Sequence, residues 1–243
     1  MRAVFLDRDG TIIEEVSYIS RAEDVVLVPG AERAMRLLRW MGFLLIGVSN
    51  QSGIGRGYFE ERAVREVNER MEELLGEGAG LDDFLFCPHR PEDNCPCRKP
   101  RPGMLLEAAE RYGIDLATSY LIGDHSKDIG AIRAVGGKGI LVLTGYGKEC
   151  RGEVLDEASF IAHDILEGAY WIMVQELKEG EMAISKELLE ILACPKCKGD
   201  VHLTEKGDGL VCEACGLLYP IKDDIPIMLI EEALPYRKER EDG

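Results

Sequence analysis

Positive charge is in short supply. The 243-residue chain carries 29 lysines and arginines against 45 aspartates and glutamates, a formal net charge of -16 at neutral pH. Nucleic-acid binders collect cations to neutralise phosphates, so no nucleic-acid partner is expected. No window approaches the roughly 18 uninterrupted apolar residues a membrane span needs, and Asp7 falls where the apolar run of a signal peptide would continue. A cytoplasmic protein with no membrane partner is expected. Isolated cysteines are nearly lacking too: of eight, only Cys150 stands apart from two tight clusters, which excludes a spread-out disulfide framework and points to reduced, metal-binding thiols. There is no internal repeat.

What is present is enough for more than one domain. The length exceeds a typical domain of roughly 100 to 150 residues, so one full domain and a smaller one are expected, and a hydrophobic fraction of 46% supports an ordinary packed core. Over the first 145 residues short apolar runs alternate with amphipathic stretches, the pattern of an α/β protein with a parallel sheet and helices on both faces. Strands are predicted at 3–6, 43–48, 84–86, 120–122 and 139–143, and helices at 30–41, 58–75, 104–112 and 164–177. Polarity and glycine break the pattern at 179–184, read as a linker between a domain at 1–178 and a smaller one at 185–232. Ser185 is expected to cap a short helix at 186–192, and 233–243 reads as a charged tail.

The main polar motifs fall where the predicted strands end, which in an open parallel sheet is the ligand edge. Asp7 and Asp9 leave the first strand one residue apart. One carboxylate can attack phosphorus while the other protonates the leaving oxygen and then activates water, and Gly10 permits the sharp reversal this requires. Alone, the pair would be an acidic turn; three further elements in order make it a phosphoryl-transfer site. Ser49, Asn50, Gln51 and Ser52 follow the second strand and offer a hydroxyl, amides and backbone donors to a phosphoryl oxygen. The Gly53-Ile54-Gly55-Arg56-Gly57 run lacks the context of a dinucleotide loop and is read as a flexible phosphate-side loop. Arg98 and Lys99 supply cations, where a solvated basic pair is the bland alternative. Asp124 and Asp128, within Gly-Asp-His-Ser-Lys-Asp, supply oxygen ligands suited to Mg²⁺.

DRDGTI at 7–12, SNQSGIGRG at 49–57, CRKPRPGMLL at 97–106 and IGDHSKDI at 122–129 together resemble the haloacid dehalogenase superfamily. Within it the chain is most similar to the D-glycero-D-manno-heptose 1,7-bisphosphate 7-phosphatases and the related histidinol-phosphate phosphatases. The resemblance covers roughly residues 1–178 and implies a Rossmann-like fold without a large cap. It implies Asp7 as nucleophile, Asp9 as proton donor and then base, and Ser49 and Lys99 as phosphoryl stabilisers. Mg²⁺ would be held by Asp7, the main-chain carbonyl of Asp9 and Asp124, with Asp128 orienting Lys99 or a metal-bound water. A phosphorylated sugar would lie against Glu15, Val16, Ser17 and Tyr18, with Asn50, Gln51, Ser52, Arg98 and His125 as further contacts. Two residues depart from the pattern: His125 replaces a common cation, and Ser49 replaces the commoner threonine but keeps the hydroxyl.

Cys87, His89, Cys95 and Cys97 give three thiolates and an imidazole within eleven residues, the ligand count of a closed, structural zinc site. Here it would brace the loop that delivers Arg98 and Lys99. The heptose phosphatases share this cluster, and the loop is short here, with five residues between His89 and Cys95. Cys194, Cys197, Cys212 and Cys215 form a second four-cysteine set of the zinc-ribbon type. Over about residues 182–232 this module resembles the small zinc-ribbon proteins that bind and activate methyltransferases. The apolar strip at 225–230 is expected either to pair with a partner's sheet edge or to fill the module's own core.

The expected function is therefore hydrolysis of a small sugar phosphate, foremost the 7-phosphate of a heptose bisphosphate, with histidinol phosphate as the enzyme alternative. A reading from another class makes the chain chiefly an interaction protein, its ribbon binding a methyltransferase or a biosynthetic partner.

Overall fold

Six short, largely buried strands supply the centre of the first unit. The computed structural model describes residues 1–178 and 186–236. The chain divides into two compact units, Met1–Gly168 and Ala169–Gly243.

In the first unit the strands are β1 (Ala3–Leu6), β2 (Leu44–Asn50), β3 (Asp83–Cys87), β4 (Tyr120–Gly123), β5 (Lys138–Val142) and β6 (Phe160–Ala162). They pair in the order β3-β2-β1-β4-β5-β6, all parallel. The chain moves outward from β1 to β3 and then crosses back to β4 on the other side of β1. The strand order therefore reverses between β1 and β4, and their carboxyl ends frame the crevice where open sheets bind ligands. Register is fixed by pairs such as Leu6 with Ile122, and the Asp7 amide donates to the Ile122 carbonyl at 3.0 Å.

Helical periodicity accounts for the covering layers. In α1 (Ala31–Trp40) the buried residues are Ala31, Ala34, Met35, Leu37 and Leu38, one apolar stripe at helical spacing. The helix ends at Trp40, and Met41, expected on its buried face, is only half-buried. The next helical segments are α2 (Ser52–Gly55) and α3 (Glu61–Leu75), the latter burying Val64, Val67, Met71 and Leu75. The run predicted as one helix from 58 begins at Glu61, because Gly57 at φ +72° turns the chain first and the Tyr58 amide bonds back to Gly53. The glycine-rich loop expected to be flexible is instead a helical turn: Gly53 is buried, and a Cβ there would meet the Phe59 ring at 2.3 Å. Beyond β3 come α4 (Gly103–Tyr112), α5 (Ser126–Arg133), α6 (Gly147–Cys150) and α7 (Ile165–Lys178).

The division at Gly168 lies inside α7, ten residues before the break expected from polarity. Within the second unit, the Tyr170 hydroxyl donates to the Ala193 carbonyl and accepts from the Ala193 amide, both at 2.8 Å. Those bonds tie the α7 residues from Ala169 onward to the chain entering the second cysteine cluster. The expected linker at 179–184 and the Ser185 cap lie outside the described residues, as does the charged tail beyond 236.

The second unit also holds α8 (Lys186–Ile191) and the strands β7 (His202–Leu203), β8 (Gly209–Cys212), β9 (Leu217–Lys222), β10 (Ile225–Pro226) and β11 (Leu234–Pro235). These pair antiparallel in the order β10-β9-β8-β7, with β11 also on β9. The strip considered for a partner's sheet edge is used internally: Ile225 and Pro226 pair with β9, while Ile225, Ile227 and Met228 are buried. Among the described residues no helix is long and apolar enough to cross a membrane.

Candidate active site

The ends of β1, β2 and β4 and the loop after β3 converge on a cavity of about 340 Å³. It brings together Asp7, Asp9, Ser49, Lys99, Asp124 and Asp128, along with Glu15, Val16, Ser17, Tyr18, Asn50, Gln51, Ser52, Arg98 and His125. Every residue expected from the sequence to act on a phosphorylated sugar lines this one space.

Asp7, Asp124 and Asp128 place carboxylate oxygens within 4.8 Å of one another. Lys99 is the buried cation among them, its Nζ 2.6 Å from Asp128, 2.9 Å from Asp7 and donating to the Val48 carbonyl at 2.7 Å. Burial works against its charge, but Asp128 and Asp7 outweigh that and hold its pKa above the usual lysine value. One cation does not offset three carboxylates. Burial, with repulsion from Asp128 and Asp9, pushes Asp7 up to about 7 despite Lys99, and burial with repulsion from Asp7 pushes Asp124 up to about 8. An all-oxygen cluster with uncompensated negative charge fits a hard divalent ion.

Two glycines make room for this cluster. A Cβ on Gly10, at φ +77°, would stand 2.1 Å from Asp124 Oδ2, and one on Gly145 2.0 Å from the same atom. The Asp124 carboxylate is also fixed by the Tyr146 amide at 2.8 Å. Asp128 accepts from the His125 amide at 3.0 Å while pairing with Lys99, so it orients the lysine directly.

Asp9 is held differently. Arg8 Nη2 reaches both of its oxygens at 2.9 Å, Gln51 Nε2 donates to Oδ2 at 2.8 Å, and the Ser49 hydroxyl lies 3.4 Å from Oδ2. Arg8 is fully buried and also donates to Asn68 Oδ1 at 3.0 Å. Sequence reasoning passed over Arg8, Asn68 and Tyr146. Arg8 could have been singled out because it sits between the two aspartates directly after a buried strand, where an unpaired charge would be costly.

Three expected substrate contacts have other occupations. Asn50 Oδ1 accepts from the Lys99 amide and Nδ2 donates to the Lys99 carbonyl, both at 3.1 Å, so the side chain is spent on the loop rather than open to a ligand. Gln51 is turned to Asp9 and Ser49. His125 Nε2 lies 3.1 Å from Lys127 Nζ, and burial followed by the Lys127 charge lowers the imidazole pKa. Glu15, in the same lining, is pushed up to about 7 by burial and then by Asp9. Tyr18 is packed edge-on against Tyr58 at 4.9 Å.

The cysteine clusters have metal-site dimensions. Cys87, Cys95 and Cys97 sulfurs are 3.3 to 3.4 Å apart, and His89 Nδ1 is 3.4 Å from Cys97 and 3.6 Å from Cys87. Tetrahedral zinc with bonds of about 2.3 Å separates sulfurs by about 3.8 Å, whereas a disulfide needs about 2.05 Å. In the second unit Cys194 and Cys215 are 3.9 Å apart and Cys197 and Cys212 3.6 Å, so all four can share one ion. The first cluster adjoins the active site: Arg98 donates to the His89 carbonyl at 3.2 Å, and the Gln51 amide to the Cys87 carbonyl at 2.8 Å.

Comparison with known proteins gives this geometry its relatives. The chain is 37% identical over 164 residues to the D-glycero-beta-D-manno-heptose-1,7-bisphosphate 7-phosphatase of Pseudomonas aeruginosa, covering 67% of this chain and 92% of that one. The chain belongs to the heptose-bisphosphate phosphatase family of haloacid dehalogenase-like hydrolases. A second family member, from Thermosynechococcus vestitus, is 40% identical over 185 residues, covering 70% and 94% of the two chains. Residues 96–168 match the family described as HAD-hydrolase-like. The solved D,D-heptose 1,7-bisphosphate phosphatase from B. bronchiseptica, complexed with magnesium and phosphate, superposes with a TM-score of 0.67 at 31% identity, covering 74% of this chain and all of that one. The corresponding enzyme from Burkholderia thailandensis gives 0.55 at 30% identity, covering 71% and 98%. Like its heptose-bisphosphate phosphatase relatives, the chain is a phosphatase. Residues 185–224 match a different family, described as Trm112p-like protein, in line with a zinc-ribbon module fused to the phosphatase.

Proposed function

We propose that the chain removes the 7-phosphate of a heptose 1,7-bisphosphate through a phospho-aspartate on Asp7. The observation that carries this reading is the Asp7, Asp124 and Asp128 cluster with Lys99 pinned inside it, at the switch point of the sheet. Names of the relatives support the sugar.

Asp7, the main-chain carbonyl of Asp9, and Asp124 would hold Mg²⁺, which when bound neutralises charge on the phosphoryl oxygens and on Asp7. A carboxylate oxygen of Asp7 attacks phosphorus as the bond from phosphorus to the sugar oxygen breaks. Asp9 gives a proton to that leaving oxygen. It then takes a proton from a water whose oxygen attacks the phospho-aspartate, releasing phosphate and restoring Asp7. Lys99 and Ser49 stabilise the transferring group, and Asp128 keeps Lys99 in place. Arg8 and Gln51 fix the side chain of Asp9 at the mouth of the reaction.

Each cysteine set would hold one structural zinc, since four protein ligands leave no open position. The ribbon is read as a protein-contact module, with a methyltransferase or biosynthetic enzyme as its partner.

The test is Mg²⁺-dependent phosphate release from both anomers of heptose 1,7-bisphosphate and from histidinol phosphate, compared by kcat/KM. Preference for a heptose bisphosphate, abolished in Asp7→Asn with both zinc ions retained, is the expected result. Faster turnover of histidinol phosphate would replace the substrate, and activity surviving in Asp7→Asn would remove the nucleophile.

A further inference from the structure

Helix α3 carries an asparagine where its period calls for an apolar side chain. Val64, Val67, Met71 and Leu75 form the buried stripe, and Asn68 falls within it, four residues after Val64 and three before Met71. A carboxamide turned toward a core costs free energy unless it is hydrogen-bonded. Its partner is Arg8, whose Nη1 donates to Asn68 Oδ1 at 3.0 Å.

That guanidinium is held from several sides. Arg8 is fully buried, and its main-chain amide donates to Asp7 Oδ1 at 2.9 Å. Its Nη2 reaches both oxygens of Asp9 at 2.9 Å, and Nε reaches Oδ1 at 3.2 Å. The Phe84 ring centroid lies 6.0 Å from Arg8 Cζ, and Gly47 on β2 leaves room for that ring, since a Cβ there would stand 2.1 Å from it. A planar guanidinium gripped along one edge can pivot on the carboxylate it binds; gripped at Nη1 as well, it cannot. Asn68 supplies that second grip.

Asn68 itself stands away from the substrate. It lines a separate cavity of about 780 Å³ together with Phe84 and Phe86, and it is not among the described residues that line the catalytic cavity. Its route to the reaction therefore runs through Arg8 to Asp9.

We propose that Asn68 is a positioning residue for catalysis: through Arg8 it fixes the direction in which Asp9 presents its carboxyl group to the leaving oxygen. This rests on the reading of Asp9 as proton donor and adds a residue on α3 that sets its aim. A misdirected proton donor is costly in the transition state and leaves substrate binding untouched, so the loss falls on kcat.

The experiment compares two esters in the full-length, zinc-loaded protein with Mg²⁺. Heptose 1,7-bisphosphate loses an alkoxide that needs a proton, whereas p-nitrophenyl phosphate loses a phenolate stable without one. Wild type, Asn68→Ala, Asn68→Leu, Asn68→Asp and Asp9→Asn are measured, with thermal melts alongside. Asn68→Leu keeps the volume without the acceptor, and Asn68→Asp keeps an acceptor oxygen in place. In Asn68→Ala and Asn68→Leu, kcat/KM for the sugar phosphate should fall about tenfold or more through kcat, with a clearly smaller loss on the aryl ester, and Asn68→Asp should restore most of it. Equal losses on the two esters, following the drop in melting temperature, would reduce Asn68 to a structural partner of Arg8 and overturn the proposal. So would unchanged kinetics in Asn68→Leu. Asp9→Asn separates the two readings: if it spares the aryl ester while the Asn68 variants do not, only the role of Asn68 falls, and if it affects both esters equally, the proton-donor reading of Asp9 falls and the proposal with it.

Discussion

Asn50 holds the main chain of Lys99 at both ends, accepting from its amide and donating to its carbonyl at 3.1 Å each. The last residue of β2 thus sets the position of a cation that arrives 49 residues later, on the loop after β3. A carboxamide carries its donor and its acceptor on separate atoms, so the contact works as a two-point peptide clamp.

Asn50→Ala should therefore lower kcat about 10- to 100-fold with a smaller change in KM, because a small misplacement of a catalytic cation is expensive in the transition state. Asn50→Asp, which can still accept from the Lys99 amide, should fall between. Steady-state kinetics check this, and a change confined to KM would make Asn50 a substrate contact instead.

Metal dependence and pH should be linked. Asp7 and Asp124 are raised to about 7 and about 8, so the metal-free folded state binds protons that the unfolded chain has already released. Between the ordinary carboxylate range and about pH 8, stability of the metal-free protein should fall as pH rises. Mg²⁺ binds the ionised carboxylates, so its stabilising effect should grow across the same interval. Thermal melts at pH 6 and pH 8.5, with and without Mg²⁺, test this; an equal Mg²⁺ increment at both would contradict it.

Loss of the first zinc should act on catalysis through Arg98 and Lys99. Cys97→Ala is expected to lower the metal content by one zinc per chain and phosphate release by about tenfold or more, as the bracing of the loop weakens. Zinc analysis alongside kinetics decides it, and full activity after loss of that zinc would reduce the cluster to a bystander.

In the second unit, Tyr170→Phe removes both bonds to Ala193 and leaves a buried peptide unsatisfied. A loss of about 1–3 kcal/mol is expected. Faster zinc release to a chelator should report it, with catalysis retained, and zinc release at the wild-type rate would show that the second cysteine cluster does not depend on the bonds from Tyr170.

Much of the phosphatase was legible because its motifs sit at strand ends. Asp7, Ser49 and Asp124 each follow a recognisable apolar run, and the topology brings those ends to one edge. Other features could not be read. β6 is three residues and α5 eight, too short for periodicity to separate them from loop. The clamp by Asn50 and the pairing of Lys127 with His125 depend on side-chain direction, which spacing along the chain does not encode. The division at Gly168 could not be read either, because it lies inside one continuous helix, α7, where no polar break marks it and only contacts reveal it.

The pairing of β1 with β4 has a practical corollary. Asp7 and Asp124 face one another only because Leu6 lies beside Ile122, and sliding either strand by one residue would turn one carboxylate to the opposite side of the sheet. Turnover is thus a sensitive gauge of alignment at the middle of the fold: a population that has collapsed with these two strands out of step would keep its secondary structure and its zinc, and would be silent toward phosphate esters.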